Sequence, residues 1–97
     1  MSIPTALQEQ IQTEVALMDA SAMTRAYEEA EHVLAYGAFR AQRSVLSADD
    51  MQKMHVAVEY MVRIEGRQQG TGWWYRARRR PQLMHKAMMA ARSLVRA

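Results

Sequence analysis

Residues 47–69 read SADDMQKMHVAVEYMVRIEGRQQ, and this stretch decides the fold. Ser47 can cap a helix, and Asp49 and Asp50 then sit near the positive end of its dipole. Projected at about 100° per residue, Met51, Met54, Ala57, Val58, Tyr60, Met61, Val62 and Ile64 cover an arc of roughly 200°. A helix that is apolar over so wide an arc is packed on more than one side. The spacing therefore predicts a central helix from about Ser47 to Gln69. Glu59 and Arg63 stand four residues apart and read as a favourable pair on its remaining wet face.

Working towards the N-terminus, the pattern stays helical. Ile3, Leu7, Ile11, Val15 and Met18 share one stripe, which predicts a first helix from Pro4 to about Met18. Ser2 or Ile3 takes the cap position, and Pro4 suits the first turn, where its missing N–H costs nothing. Asp19-Ala20-Ser21 is a candidate break, since Asp19 or Ser21 can cap the next helix. One bent helix from Pro4 to Gln42 is the alternative. The second helix, about Ala22–Gln42, carries a narrow stripe of small residues, Ala26, Ala30, Gly37 and Ala41, beside Met23, Tyr27, Val33 and Leu34. Small side chains let a neighbouring helix approach closely, which gives Gly37 a reason to sit in a helix interior despite a cost of about 1 kcal/mol. Tyr36 and Phe39 project off that stripe with Arg25, His32 and Arg43, either as a second contact surface or as partners for the C-terminal segment.

Working towards the C-terminus, Gly70-Thr71-Gly72 ends the central helix, with Gly70 suited to a left-handed closing residue. Residues 73–79 read either as a short helix or as an extended piece. Arg80 precedes proline and is biased away from the helical region, so Pro81 is expected to open the last helix, to about Val95. There Leu83, Met84, Ala87, Met88, Ala91, Leu94 and Val95 form one face. Gln82, His85, Lys86, Met89, Arg92, Ser93 and Arg96 form the other. The fold expected is all-α, a single domain of four to five helices with the third central.

Composition supports this reading. The chain has 97 residues, 49% hydrophobic and 24% charged, in the range of a globular domain. Four Gly and two Pro argue against disorder and against a turn-rich β protein. The absence of cysteine removes disulfides and thiolate metal sites and fits a reducing cytoplasm. No signal peptide is visible in Met1-Ser2-Ile3-Pro4, and no apolar run approaches the ~20 residues of a membrane span. The nine methionines read mainly as core filler on the buried stripes.

The net charge of +3 conceals a dipolar chain. From Arg63 onward there are nine Lys/Arg against a single acid, Glu65, while residues 1–62 hold four Lys/Arg against nine acids. The basic third opens with Trp73-Trp74-Tyr75-Arg76-Ala77-Arg78-Arg79-Arg80-Pro81. Phosphates are met by Lys and Arg, and base faces by flat apolar side chains. A nucleic-acid-binding, regulatory role through phosphate and shape is therefore the first functional expectation. Trp74, Tyr75, Arg76, Arg78, Arg79, Arg80, Lys86, Arg92 and Arg96 are the contact residues. The alternative is a small inhibitor or adaptor, of the size of phage- or plasmid-encoded regulators, that docks on an acidic surface of a larger protein or nucleoprotein complex, because Trp, Tyr, Met and Arg are also enriched at interface hot spots. Self-association as a homodimer is a further expectation, with the acidic 9–31 region of one copy meeting the basic end of another, since a symmetric pair is the commonest outcome when chains associate. The same acids, Glu28, Glu29 and Glu31, facing Arg76–Arg80 within one chain would neutralise the patch instead.

Catalysis is not expected. No phosphate-binding loop, dinucleotide-binding glycine pattern or nucleophile motif is present. His32, His55 and His85 fall on three separate helices. Glu29-x-x-His32 matches one ligand pair of a di-iron bundle, but that architecture needs a second copy and further carboxylates. No metal or cofactor is expected, and no membrane partner: the last helix is amphipathic and basic, but packing on the third explains its apolar face.

Overall fold

The computed structural model describes residues 3–69 and 72–96. It holds four helices, α1 (Thr5–Ala16), α2 (Ala20–Ala41), α3 (Ala48–Gln69) and α4 (Trp73–Arg96). The described residues contain no strand. As the width of its apolar arc predicts, α3 packs against each of the other three, and α4 also packs on α2.

Two of the starts follow from side-chain caps. The Asp19 carboxylate accepts from the Ala22 N–H at 2.7 Å and opens α2. Asp19 thus makes the break between the first two helices real, and the single bent helix is ruled out. Ser47 Oγ accepts from the Asp50 N–H at 3.1 Å and opens α3. Pro4 sits one position earlier than expected, at the cap of α1 itself, with no side-chain hydrogen bond there. The expectations for Ser2 and Gly70 lie outside the described residues.

The core has two joined parts. One gathers Ala30, Leu34 and Ala38 of α2, Met54, Ala57, Val58, Met61 and Val62 of α3, and Leu83 and Ala91 of α4. The other holds Ile3, Ile11, Val15, Met23 and Ile64, and Tyr27 and Tyr60 pack against both. Gly37 has the close approach its stripe implies: a Cβ there would stand 2.6 Å from Met54 Cγ. Ala38 belongs to that buried stripe, whereas Val33 lies partly outside it at 38% exposure. Phe39 packs against the core, and Tyr36 is exposed beside the Arg40 guanidinium.

The largest departure from the sequence pattern is at Pro81. It does not open the last helix but lies inside α4, which begins at Trp73. Proline removes one helical N–H, at a cost of about 3 kcal/mol in an undisturbed helix. The helix continues because both sides of Pro81 are anchored. Arg79 and Arg80 are ion-paired to α3 just before it, and Leu83 is buried just after it. Tertiary contacts override the bias that proline places on Arg80. A second departure is at the far end of α4. Leu94 and Val95 are on the expected apolar side but are 70% and 46% exposed, because the core ends at Ala91. Among the described residues, no helix is long and apolar enough to cross a membrane.

Candidate nucleic-acid interface

The basic segment divides along the two faces of α4. The inner face meets two buried carboxylates of α3. Arg80 donates from Nε to Glu59 Oε1 at 2.8 Å and from Nη2 to Oε2 at 3.0 Å. Arg79 donates from Nε to Glu65 Oε1 at 2.9 Å, with a longer contact of 3.3 Å to Oε2. The Tyr75 hydroxyl donates to the same Glu65 Oε1 at 2.9 Å, and the Tyr27 hydroxyl of α2 donates to Oε2 at 2.6 Å. Glu65 is therefore a node joining α2, α3 and α4. Glu59 is a second node, since Arg63 also reaches its Oε2 at 2.8 Å.

The Glu59–Arg63 pair is thus not on a wet face. Glu59 is 2% exposed, and a carboxylate this buried requires close cationic partners. Burial alone pushes Glu59 upward, but the hydrogen bonds from Arg80 and Arg63 outweigh it and hold its carboxyl below the usual range. Glu65 behaves likewise: burial raises it, and Arg79, Tyr27 and Tyr75 bring it below the ordinary value. On the tyrosine side, burial and then the bond to Glu65 push Tyr27 up to about 12. Both acids need their partners, so the intramolecular pairing is real. Its acids come from α3, however, and not from Glu28, Glu29 or Glu31. Glu28 and Glu31 line the same groove as Arg79, but among the described residues neither is ion-paired to it.

Sequence reasoning missed both nodes, though one left a signal. At about 100° per residue Glu65 falls in the middle of the apolar arc of α3, between Met61 and Val58, where a charge needs an internal partner. Glu59 falls about 60° outside that arc, near the middle of the polar side, and gives no such sign.

The nine expected contact residues therefore separate. Tyr75, Arg79 and Arg80 are turned inward to the two carboxylates. Arg76 is half-buried beside them, and burial, then the nearby Arg63 and Arg80 charges, lower its guanidinium from its usual value. Trp74, Arg78, Lys86, Arg92 and Arg96 are exposed. Helical projection brings Trp74, Arg78, Arg92 and Arg96 to one outward stripe, together with His85 and Met89, and Lys86 flanks it. From Arg78 to Arg96 the stripe is about 27 Å long at 1.5 Å per residue. No acid occurs anywhere in α4. Trp73 is 73% exposed and Trp74 is 55% exposed at its beginning.

Among the described residues, no three His, Asp or Glu side chains converge as a metal site. Comparison with family models, curated proteins and solved structures yields no significant match to any part of the chain.

Proposed function

We propose that the outward face of α4 binds nucleic acid through its phosphates, with Arg78, Lys86, Arg92 and Arg96 as the cationic contacts and Trp74 as a stacking platform. The observation carrying this reading is the division of the basic segment. Glu59 and Glu65 absorb the inner arginines, while four outer cations keep their charge on one acid-free helical face. Tyr75, Arg76, Arg79 and Arg80 leave the contact set and become supports that hold the face in place. A helix with this outer face suits backbone and shape recognition better than a base code, because Arg and Lys placed this way meet phosphates.

A salt titration tests the reading. Labelled duplex and single-stranded oligonucleotides are titrated with the protein by fluorescence anisotropy at increasing salt. Phosphate contacts predict a log–log slope of about −0.9 per contact on duplex, hence near −3 to −4 for four cations. Absence of binding at low salt, or a slope near zero, overturns the reading.

A second reading, docking on an acidic protein surface, is favoured by Trp74, exposed at the head of the same face, and by Trp73, exposed next to it at the start of α4. It predicts that binding to an acidic protein survives where oligonucleotide binding is not detected.

A further inference from the structure

Two apolar features of this molecule are unpartnered, and they are complementary. The first is a trough beside α1. The α2 and α3 helices each extend about 33 Å, whereas α1, packed on α3, is only about 18 Å long. Where α1 ends, the open side of the α2–α3 pair forms a groove of about 600 Å³, within the ~300–1,000 Å³ range of occupied binding sites. Ala30, Val33, Val56 and Ala57 contribute its apolar lining. Glu14, Glu29 and Asp49 supply negative charge, against the cation Lys53.

The second is the last turn of α4. Leu94 falls on the same side of the helix as Leu83 and Ala87, the side that faces the core. Yet Leu94 is 70% exposed, while Leu83 is 4% exposed, because the bundle does not extend beneath the final turn. Val95 is 46% exposed beside it, and Arg92 and Arg96 are exposed on the same turn. This end is apolar at Leu94 and Val95 and carries Arg92 and Arg96 on the adjoining side beyond Val95, so its charge is opposite to that of the groove's acidic rim.

We propose that the last turn of α4 from one copy docks in the α2–α3 groove of a second copy, with Leu94 and Val95 on the apolar lining and Arg92 and Arg96 towards Glu14, Glu29 and Asp49. The two surfaces differ, so the contact is head-to-tail: it extends into chains or rings unless two copies exchange their ends reciprocally. Neither surface needs nucleic acid, so the inference stands apart from the polyanion reading. The two meet at Arg92 and Arg96, which a docked copy would cover.

The test is sedimentation velocity of the full chain, without nucleic acid, from micromolar to about millimolar concentration at low and high salt, together with two variants. Val33→Arg blocks the groove and Leu94→Glu blocks the end. Both positions are exposed, so circular dichroism should be unchanged. The wild type is expected to self-associate more strongly at low salt, and each variant alone to do so at least about tenfold more weakly, a loss of about 1.4 kcal/mol. An equimolar mixture of the two variants retains one intact groove and one intact end, and is expected to form a 1:1 complex and nothing larger. If either variant loses its fold, Glu29→Arg and Arg92→Glu replace them, each weak alone and restored when mixed. A wild type that stays monomeric throughout, association indifferent to both variants, or a mixture that fails to pair would overturn the proposal. All of these measurements are made without nucleic acid, so failure of self-association and failure of oligonucleotide binding are read separately.

Discussion

Arg80 reaches across the α3–α4 interface to Glu59 with two hydrogen bonds, 2.8 and 3.0 Å long, and the carboxylate it meets is 2% exposed. Two residues away, Arg78 points to solvent. Adjacent arginines of one basic run therefore do different work. Removing one partner of a buried pair costs about 3–5 kcal/mol because it strands a charge. Arg63 remains on Glu59, so Arg80→Ala is expected to cost less, roughly 2–3 kcal/mol, or a fall in Tm of about 10–20 °C. Arg78→Ala should stay within about 0.5 kcal/mol of the wild type. Thermal melts of the two single variants check this. Equal stability of both would mean that the Glu59 node does not hold α4 in place.

The same nodes make stability depend on acid. Glu59 and Glu65 both have carboxyls below the ordinary value in the folded state. A group depressed on folding contributes stability that is present above its unfolded value, near 4.3 for glutamate, and is lost as the pH falls through the folded one. Stability is therefore expected to hold from neutral pH down to about 5 and then decline steeply. Urea melts between pH 7 and pH 3 measure the decline, and Glu59→Gln should make it shallower. A profile as steep in the variant as in the wild type would remove Glu59 from the account.

Gly37 and Met54 set the distance between α2 and α3. Alanine at 37 would gain about 1 kcal/mol of helix propensity, but its Cβ would fall 2.6 Å from Met54 Cγ. Met54 is 2% exposed and has little room to retreat. Gly37→Ala should therefore destabilise by about 1–3 kcal/mol despite the propensity gain. In a Met54→Ala background the clash disappears, and the same substitution should become neutral or stabilising. A double-mutant cycle by chemical denaturation reads this coupling, and simple additivity would contradict the steric account.

What could be read from the chain was local or periodic. The Asp19 and Ser47 caps lie in short polar punctuation, and the central position of α3 follows from the width of its apolar arc. The features that escaped depend on three dimensions. Proline at 81 signals a helix start on local grounds, and only the anchoring of Arg79, Arg80 and Leu83 to the rest of the bundle lets α4 run through it. Periodicity assigned Leu94 and Val95 to the core face, but a period does not say where the neighbouring helices stop. The basic run looked uniform because the positions of Glu59 and Glu65 relative to α4 are set by packing. Of the expected contact residues, charge alone could not separate Arg78 from Arg79 and Arg80.

That separation gives the polyanion reading its most discriminating prediction. Arg78, Lys86, Arg92 and Arg96 are exposed on α4, so alanine at each should weaken oligonucleotide binding by a similar factor whatever the sequence, and reduce the salt slope by about 1. Arg79→Ala loses an inward pair to Glu65. It should therefore lower thermal stability, while the binding of the molecules that remain folded keeps the wild-type slope. The comparison is made by anisotropy at a temperature where circular dichroism shows every variant folded. A slope that drops for Arg79→Ala and not for Arg78→Ala would reverse the assignment and place the contact on the inner face. If all five variants leave the slope unchanged, phosphate binding by α4 is excluded.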